Sequence, residues 1–296
     1  MFFFCVPVEM DDGGFCRFWK IKRIFATIKC EFVMKKIVIV GCGKLANIVA
    51  NASLQGLLPE YEIVGVYSRS MEKAASLAEK ICKGGYDCKA VASWSELLAL
   101  HPDYLVETAS PAAMYECALP ALKQGVSIVT LSIGAFADDD FYDEVTRTAR
   151  ENNAHVYIVS GATGGFDVLQ TATLMGGAKA CFFNEKGPDA LRRTSVYDDS
   201  LQTEQRTVFQ GTASEAIKMF PTKVNVTVAA SRASVGPQQM QVTMQSTPGF
   251  KGDTQRVEIR NEQVHAVVDV YSATAEIAGW SVVNTLRNLC SPIVFV

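Results

Sequence analysis

The stretch KKIVIVGCGKLANIVA, residues 35–50, decides how the chain is read. Two lysines lead into Ile37, Val38, Ile39 and Val40, an unbroken β-branched run. Such a run marks a strand covered on both faces. Gly41-Cys42-Gly43-Lys44-Leu45-Ala46 follows at once, a GxGxxA pattern, and a helical pattern starts at Lys44. In this pattern the first glycine permits the tight turn. The second lets the backbone approach a pyrophosphate, and the alanine keeps helix and strand close. The helix start adds free N–H groups and the positive end of its dipole. Strand, turn and helix in succession are the context the pattern needs. Gly41, Gly43, Lys44, Leu45 and Ala46 therefore read as a dinucleotide cradle, against a bare βα turn as the alternative. Cys42 reads as a small side chain that fits the turn, with a redox thiol as the other reading.

Outward from this stretch, strand and helix alternate. Strands are expected at residues 35–40, 62–67, 88–92, 103–108, 127–131 and 155–159, with helices at 44–57, 71–83 and after 93, 110 and 138. Ser93 and Glu96 form a capping-box pattern. Pro111 stands at a helix start, where its missing N–H costs nothing. Asp138, Asp139 and Asp140 complement a helix dipole. Single helices between strands imply parallel pairing with right-handed crossovers. The first part is thus a Rossmann-type, doubly wound α/β sheet over residues 34–160. It binds its ligand at the carboxyl ends of the strands.

The second part, residues 161–289, changes character. A helix at 165–175 precedes strands near 179–184 and 207–210. Thr212 and Glu215 make a second capping box, and helices follow to 220 and over 224–234. Three alternating segments come next: QMQVTMQS, QRVEIR and QVHAVVDV. The last two are separated by Asn261-Glu262, a hairpin signal. A helix over 273–289 closes the chain. The expectation is an α+β domain with a largely antiparallel sheet and helices on one face. The apolar tail, 290–296, is expected to pack on the core or on a partner.

Bulk composition bounds the function. The chain has 296 residues, 28 Lys+Arg against 31 Asp+Glu, and a net charge of −3. Nothing strongly basic is present, which argues against nucleic acid as a partner. No apolar run reaches the roughly 18–20 residues that span a membrane. The nine cysteines contain no CxxC pair, so they read as reduced thiols of a cytoplasmic protein, and no metal site is expected. Residues 1–33 lack a strand or helix period and read as an extension upstream of a start at Met34, with an organelle-targeting segment as the alternative.

The end of the second strand points to the cofactor. An NAD site commonly places an acid there for the ribose 2′-hydroxyl. Here the strand runs into Tyr67-Ser68-Arg69-Ser70. Serine accepts a 2′-phosphate that a carboxylate would repel, and arginine neutralises it. Ser68, Arg69 and Ser70 therefore favour NADP over NAD.

Over residues 35–289 the chain resembles the L-aspartate dehydrogenase family. The resemblance rests on ETASPAAMYECALPALKQGVSIVTLSIGAFAD, VYIVSGATGGFDVL and GTASEAIKMFPTKVNVTVAA, and most specifically on the Ser-Gly-Ala-x-Gly-Gly-x-Asp and Phe-Pro-x-x-Val-Asn-Val runs. It implies NAD(P)-dependent, reversible oxidative deamination of a small amino acid to a keto acid, and a homodimer formed through the second sheet. By that likeness Ala135 and Asn225 contact the cofactor near its nicotinamide, and the loop Ala109-Ser110-Pro111 passes beside it. Ser160, Gly161 and Ala162 line the substrate side.

The family's catalytic histidine has no counterpart. Its position falls between Gln255 and Val257 in GFKGDTQRVEIR. The family's Asn-Pro-Lys-Thr-Ser run and its basic run after the Gly-Gly-x-Asp helix are also changed. Of the three histidines, His101 and His155 fall far from the site. His265, on the hairpin partner strand, is the candidate proton donor. Lys223 is a second candidate, as base or carboxylate binder. Two functions follow: a dehydrogenase or imine reductase, or a catalytically silent NADP(H)-binding sensor of the same fold.

Overall fold

β1 (Lys35–Val40) is buried from Ile37 onward. Ile37 and Ile39 enter one core, Val38 and Val40 another. That division is why the strand is apolar at every position rather than at every second one. The computed structural model describes residues 34–220 and 224–295, and Met34–Val296 forms one unit. The extension expected over residues 1–33 and the candidate base Lys223 lie outside the described residues.

The first sheet continues through α1 (Lys44–Leu54), β2 (Tyr61–Tyr67), α2 (Met71–Lys83), β3 (Lys89–Val91) and α3 (Trp94–Leu98) to β4 (Tyr104–Glu107), α4 (Pro111–Leu122), β5 (Ser127–Thr130), α5 (Asp139–Glu151) and β6 (Val156–Ile158). All pairings are parallel, in the order β3-β2-β1-β4-β5-β6. Helices α1 and α2 cover one face and α4 and α5 the other. Side-chain caps set the helix starts: Ser70, Ser93, Ser110 and Asp138 accept from Lys73, Glu96, Ala113 and Phe141 N–H. The box expected at Ser93 is displaced, because the Glu96 carboxylate reaches the Ala92 N–H instead. α1 stops three residues short of the expected end, where Gly56 turns left-handed at φ 74°.

The second part comprises α6 (Phe166–Leu174), β7 (Lys179–Lys186), β8 (Arg206–Thr212), α7 (Ala213–Met219), α8 (Asn225–Arg232), β9 (Gln241–Ser246), β10 (Asp253–Arg260), β11 (His265–Ser272) and α9 (Glu276–Cys290). Its strand order is β11-β10-β7-β9-β8. β7 and β9 run parallel and the other pairs antiparallel, so the sheet is mixed. The parallel pair follows from the path of the chain, which leaves edge strand β8 through α7 and α8 before entering β9. The full capping box at Thr212 and Glu215 forms as read. The hairpin loop is four residues long, closed by Asn261 Oδ1 accepting from Gln263 and Val264 N–H.

One face of this sheet joins the core through Ala180, Phe182, Val242, Met244, Val257 and Ile259, with α6, α7 and α8 packed on it. The opposite face carries exposed Arg256, Val267, Asp269 and Tyr271. α9 then returns to the first sheet: Gly279 lies against Ile48 of α1, and Tyr61 Oη donates to Leu286 O at 2.8 Å. The tail does not pack on the core, since Ile293 is 71% and Phe295 83% exposed. No helix among the described residues is long and apolar enough to cross a membrane.

Candidate active site

The strand order of the first sheet reverses between β1 and β4, and their carboxyl ends form the crevice where such folds bind ligands. Gly41 sits there at φ 88°, its N–H bonded to Tyr67 O at 2.9 Å. A Cβ on Gly41 would lie 2.8 Å from the Ala109 backbone. Both the conformation and the contact demand glycine. Gly43 differs: a Cβ there would meet nothing within 4 Å. As N-cap of α1 it provides no side-chain cap, leaving the first N–H groups of the helix for a ligand. Open space in front of an uncapped helix start fits a pyrophosphate. Lys44 stands at its edge, paired with Glu276 at 2.9 Å. Cys42 Sγ lies 3.6 Å from Tyr67 O, and burial pushes its thiol up to about 11. It is a small space-filling side chain rather than a reactive thiolate.

Glu107, which the sequence reading passed over, organises the floor of the crevice. It closes β4 and is 0% exposed. Its Oε1 accepts from Ala109 N at 2.7 Å, Ser110 N at 2.9 Å and Ser132 Oγ at 2.9 Å. Its Oε2 accepts from Thr130 Oγ1 at 2.8 Å and Ser132 N at 3.2 Å. Burial pushes its pKa above the ordinary carboxylate value, and these donors act in the opposite direction. One side chain thereby locks the loop after β4 to the loop after β5. The available signal was an acid ending the otherwise apolar run YLVE.

Other expected cofactor residues gather around the same crevice. Asn225 Oδ1 accepts from Gly134 N at 2.8 Å, which brings Asn225 beside Ala135. Tyr115 Oη fixes the Ala135 carbonyl at 3.1 Å. Arg232 binds Phe136 O at 2.9 Å and pairs with Asp139. At the end of β2, Ser68 Oγ accepts from Ser70 N at 3.3 Å, Ser70 caps α2, and Arg69 is exposed. On the expected substrate side, Gly161 has φ 62° and donates to Ser281 Oγ at 3.1 Å. This ties residues 160–162 to α9. Thr163, 7% exposed, has an Oγ1 without a hydrogen-bond partner among the described residues. Gly165, at φ 68°, abuts Val268 of β11 so closely that a Cβ would lie 2.5 Å from its methyl.

The structure does not bring His265 into this group. His265 lies on the outward face of β11, its Nε2 3.0 Å from Glu258 Oε1. Val268, which meets Gly165, belongs to the inward face. The hairpin pairing was read correctly, but strand alternation turns residue 265 away. At the position left without histidine, Gln255 and Val257 point inward and Arg256 outward. Gln255 is 4% exposed.

A parallel sheet with an open glycine turn at its switch point, and a mixed sheet whose inner face adjoins it, define an NAD-binding oxidoreductase. Comparison narrows the class. The profile described as "Homoserine dehydrogenase, NAD binding domain" matches residues 41–159, and "Aspartate dehydrogenase, C-terminal" matches residues 167–289. An L-aspartate dehydrogenase of Bordetella pertussis is 34% identical over 77% of this chain and 83% of its own. That of Methanocella arvoryzae is 29% identical over 88% and 98%. The crystal structure of aspartate dehydrogenase from Thermotoga maritima superposes with a TM-score of 0.68 at 25% identity, covering 88% of this chain and 99% of that one. The chain belongs to the L-aspartate dehydrogenase family.

Proposed function

We propose that the protein is a nicotinamide-dependent amino-acid dehydrogenase or imine reductase that prefers NADP(H), with aspartate and its keto acid as the first substrates to try. A bound nicotinamide nucleotide supplies the hydride donor or acceptor. The chain's own residues bind it, orient it and exclude water. Gly41, Gly43, Lys44, Leu45 and Ala46 would hold the pyrophosphate. Ser68 and Arg69 would take the 2′-phosphate, with Ser70 closing that turn. Ala109, Ser110, Ala135 and Asn225 would border the nicotinamide, and Ser160, Gly161 and Ala162 the substrate. Of the two proton-donor candidates, Lys223 belongs to this reading for test by substitution, and His265 would act only from the far face of its strand.

The observation that carries the reading is Gly43 facing open space before an uncapped helix, beside loops locked by Glu107. A cytoplasmic location and a homodimer through the outward face of the second sheet, where Tyr271 is 59% exposed, complete the proposal. One observation favours the silent-sensor reading: over Gln255–Val257, where the resemblance calls for an imidazole, the inward positions hold Gln255 and Val257, neither an acid–base group.

Turnover decides between them. Oxaloacetate, ammonia and NADPH are mixed with the full chain and absorbance of the reduced cofactor is followed. The enzyme reading expects consumption that needs all three components. Tight NADPH binding without consumption, for oxaloacetate and for other small keto acids, favours the sensor.

A further inference from the structure

The short 3-10 turn after β5, Ile133–Ala137, is held from outside at three successive residues. Gly134 N–H donates to Asn225 Oδ1 at 2.8 Å. The Ala135 carbonyl accepts from Tyr115 Oη at 3.1 Å, and the Phe136 carbonyl from Arg232 Nε at 2.9 Å. Ser132, just ahead of the turn, is fixed to Glu107. Tyr115 lies on α4, whereas Asn225 and Arg232 are the first and last residues of α8. The ends of that helix are about 10 Å apart. Residues 134 and 136 are separated by about 4 Å of 3-10 rise. Two side chains thus converge on one turn of the first part from the two ends of one helix of the second.

Arg232 makes the most of this position. Its side chain is 16% exposed and pairs with Asp139 in the first turn of α5. Its guanidinium also lies over the Tyr142 ring, 4.5 Å from the centroid. A planar fork of donors serves a carbonyl, a carboxylate and a ring face together, which a point-charge ammonium does not. Arg232 thereby fixes the end of the turn and the start of α5 to one rigid group. Packing alone would not call for a charge at this depth. The Phe136 ring, 2% exposed and stacked on Phe141, leaves the turn little room to tilt.

We infer that Arg232 is a positioning residue for the nicotinamide end of the crevice. It sets the placement of the turn that carries Ala135, and α8 brings that constraint from the second part of the chain. Ala135 is 0% exposed and Gly134 partly exposed, so the turn bears on a ligand through where its backbone stands. Arg232 acts through the turn and not on the reacting atoms. This assignment deepens the proposed function and rests on it for the place of Ala135 beside the nicotinamide.

The test titrates the full chain with NADPH and with 2′-phospho-ADP-ribose, the same nucleotide without its nicotinamide, and records the emission of bound NADPH. Arg232→Met should weaken NADPH binding about three- to tenfold, the loss of one hydrogen bond to the turn. The emission of the bound reduced ring should change, while affinity for 2′-phospho-ADP-ribose stays at the parent value. Arg232→Lys keeps the charge without the fork and should recover part of the loss. Parental NADPH affinity and emission in Arg232→Met overturn the inference. So does an equal loss for both nucleotides, which would leave Arg232 a structural role only. Should Arg232→Met fail to fold, Arg232→Lys must show the same selective loss, about two- to threefold, and a parental ratio there overturns the inference. If the parent binds NADH more tightly, NADH and ADP-ribose replace the pair with the same expectations. A parent chain that binds none of these nucleotides overturns the dehydrogenase reading itself, an outcome distinct from a parent that binds them and a variant that follows it.

Discussion

Glu107, 0% exposed at the end of β4, is held by donors beyond its own strand. Glu107 accepts five hydrogen bonds, four from two loops and one from Thr130 at the end of β5. In Glu107→Gln one oxygen becomes an NH2 group that must face N–H and O–H donors. The variant should lose about 2–3 kcal/mol in urea unfolding near neutral pH. It should also bind nucleotide more weakly, because the loop bearing Ala109 and Ser110 is released. Cys42 gives a pH-dependent counterpart. Its thiol is raised from 9.0 to about 11 by burial, so the unfolded chain ionises first as pH rises. Its contribution to stability is complete below about pH 9 and is lost toward about pH 11. Urea unfolding across that range should show stability falling, and the fall should be shallower in Cys42→Ala. What was legible at this scale was the glycines: Gly41 is demanded by its left-handed backbone and its contact with Ala109, and Gly43 leaves the space before the helix open. Glu107 was missed because burial of an acid depends on donors brought from β5 and its following loop, distant in sequence.

Among elements, the turn from β1 into α1 separates two roles that the pattern alone runs together. Gly41→Ala forces a side chain into a left-handed backbone and against Ala109. It should cost about 2–4 kcal/mol of stability, by the combined strain and overpacking. Gly43→Ala meets nothing. Its stability should match the parent within about 0.5–1 kcal/mol. Its methyl nevertheless enters the space before the helix, and nucleotide affinity should fall. Equal nucleotide affinity in Gly43→Ala and the parent would remove the pyrophosphate from this turn. The strands and helices around it were legible from period and caps: Met71–Lys83 matches the expected helix at both ends. The facing of β11 was not legible. Hairpin pairing fixes which residues oppose each other. Which face is buried is set by the helices packed on the sheet, and alternation then sent His265 outward.

At the scale of the whole molecule, the chain's last helix closes the arrangement. α9 packs Gly279 on Ile48, bonds residue 161 through Ser281, and sets Glu276 beside Lys44. The glycine turn and the loop at residues 160–162 thus share one scaffold. The alternation of strand and helix, then the change to alternating segments, made this two-sheet plan readable. The parallel pairing of β7 with β9 was not, because it depends on where β8 lies in space. The account stands on the crevice between β1 and β4 holding a nicotinamide nucleotide. Fluorescence titration of the full chain with NADPH and with NADH tests this most directly. Saturable binding of both, tighter for NADPH and weakened in Gly43→Ala, is the predicted result. Binding of neither nucleotide would contradict the account at its base.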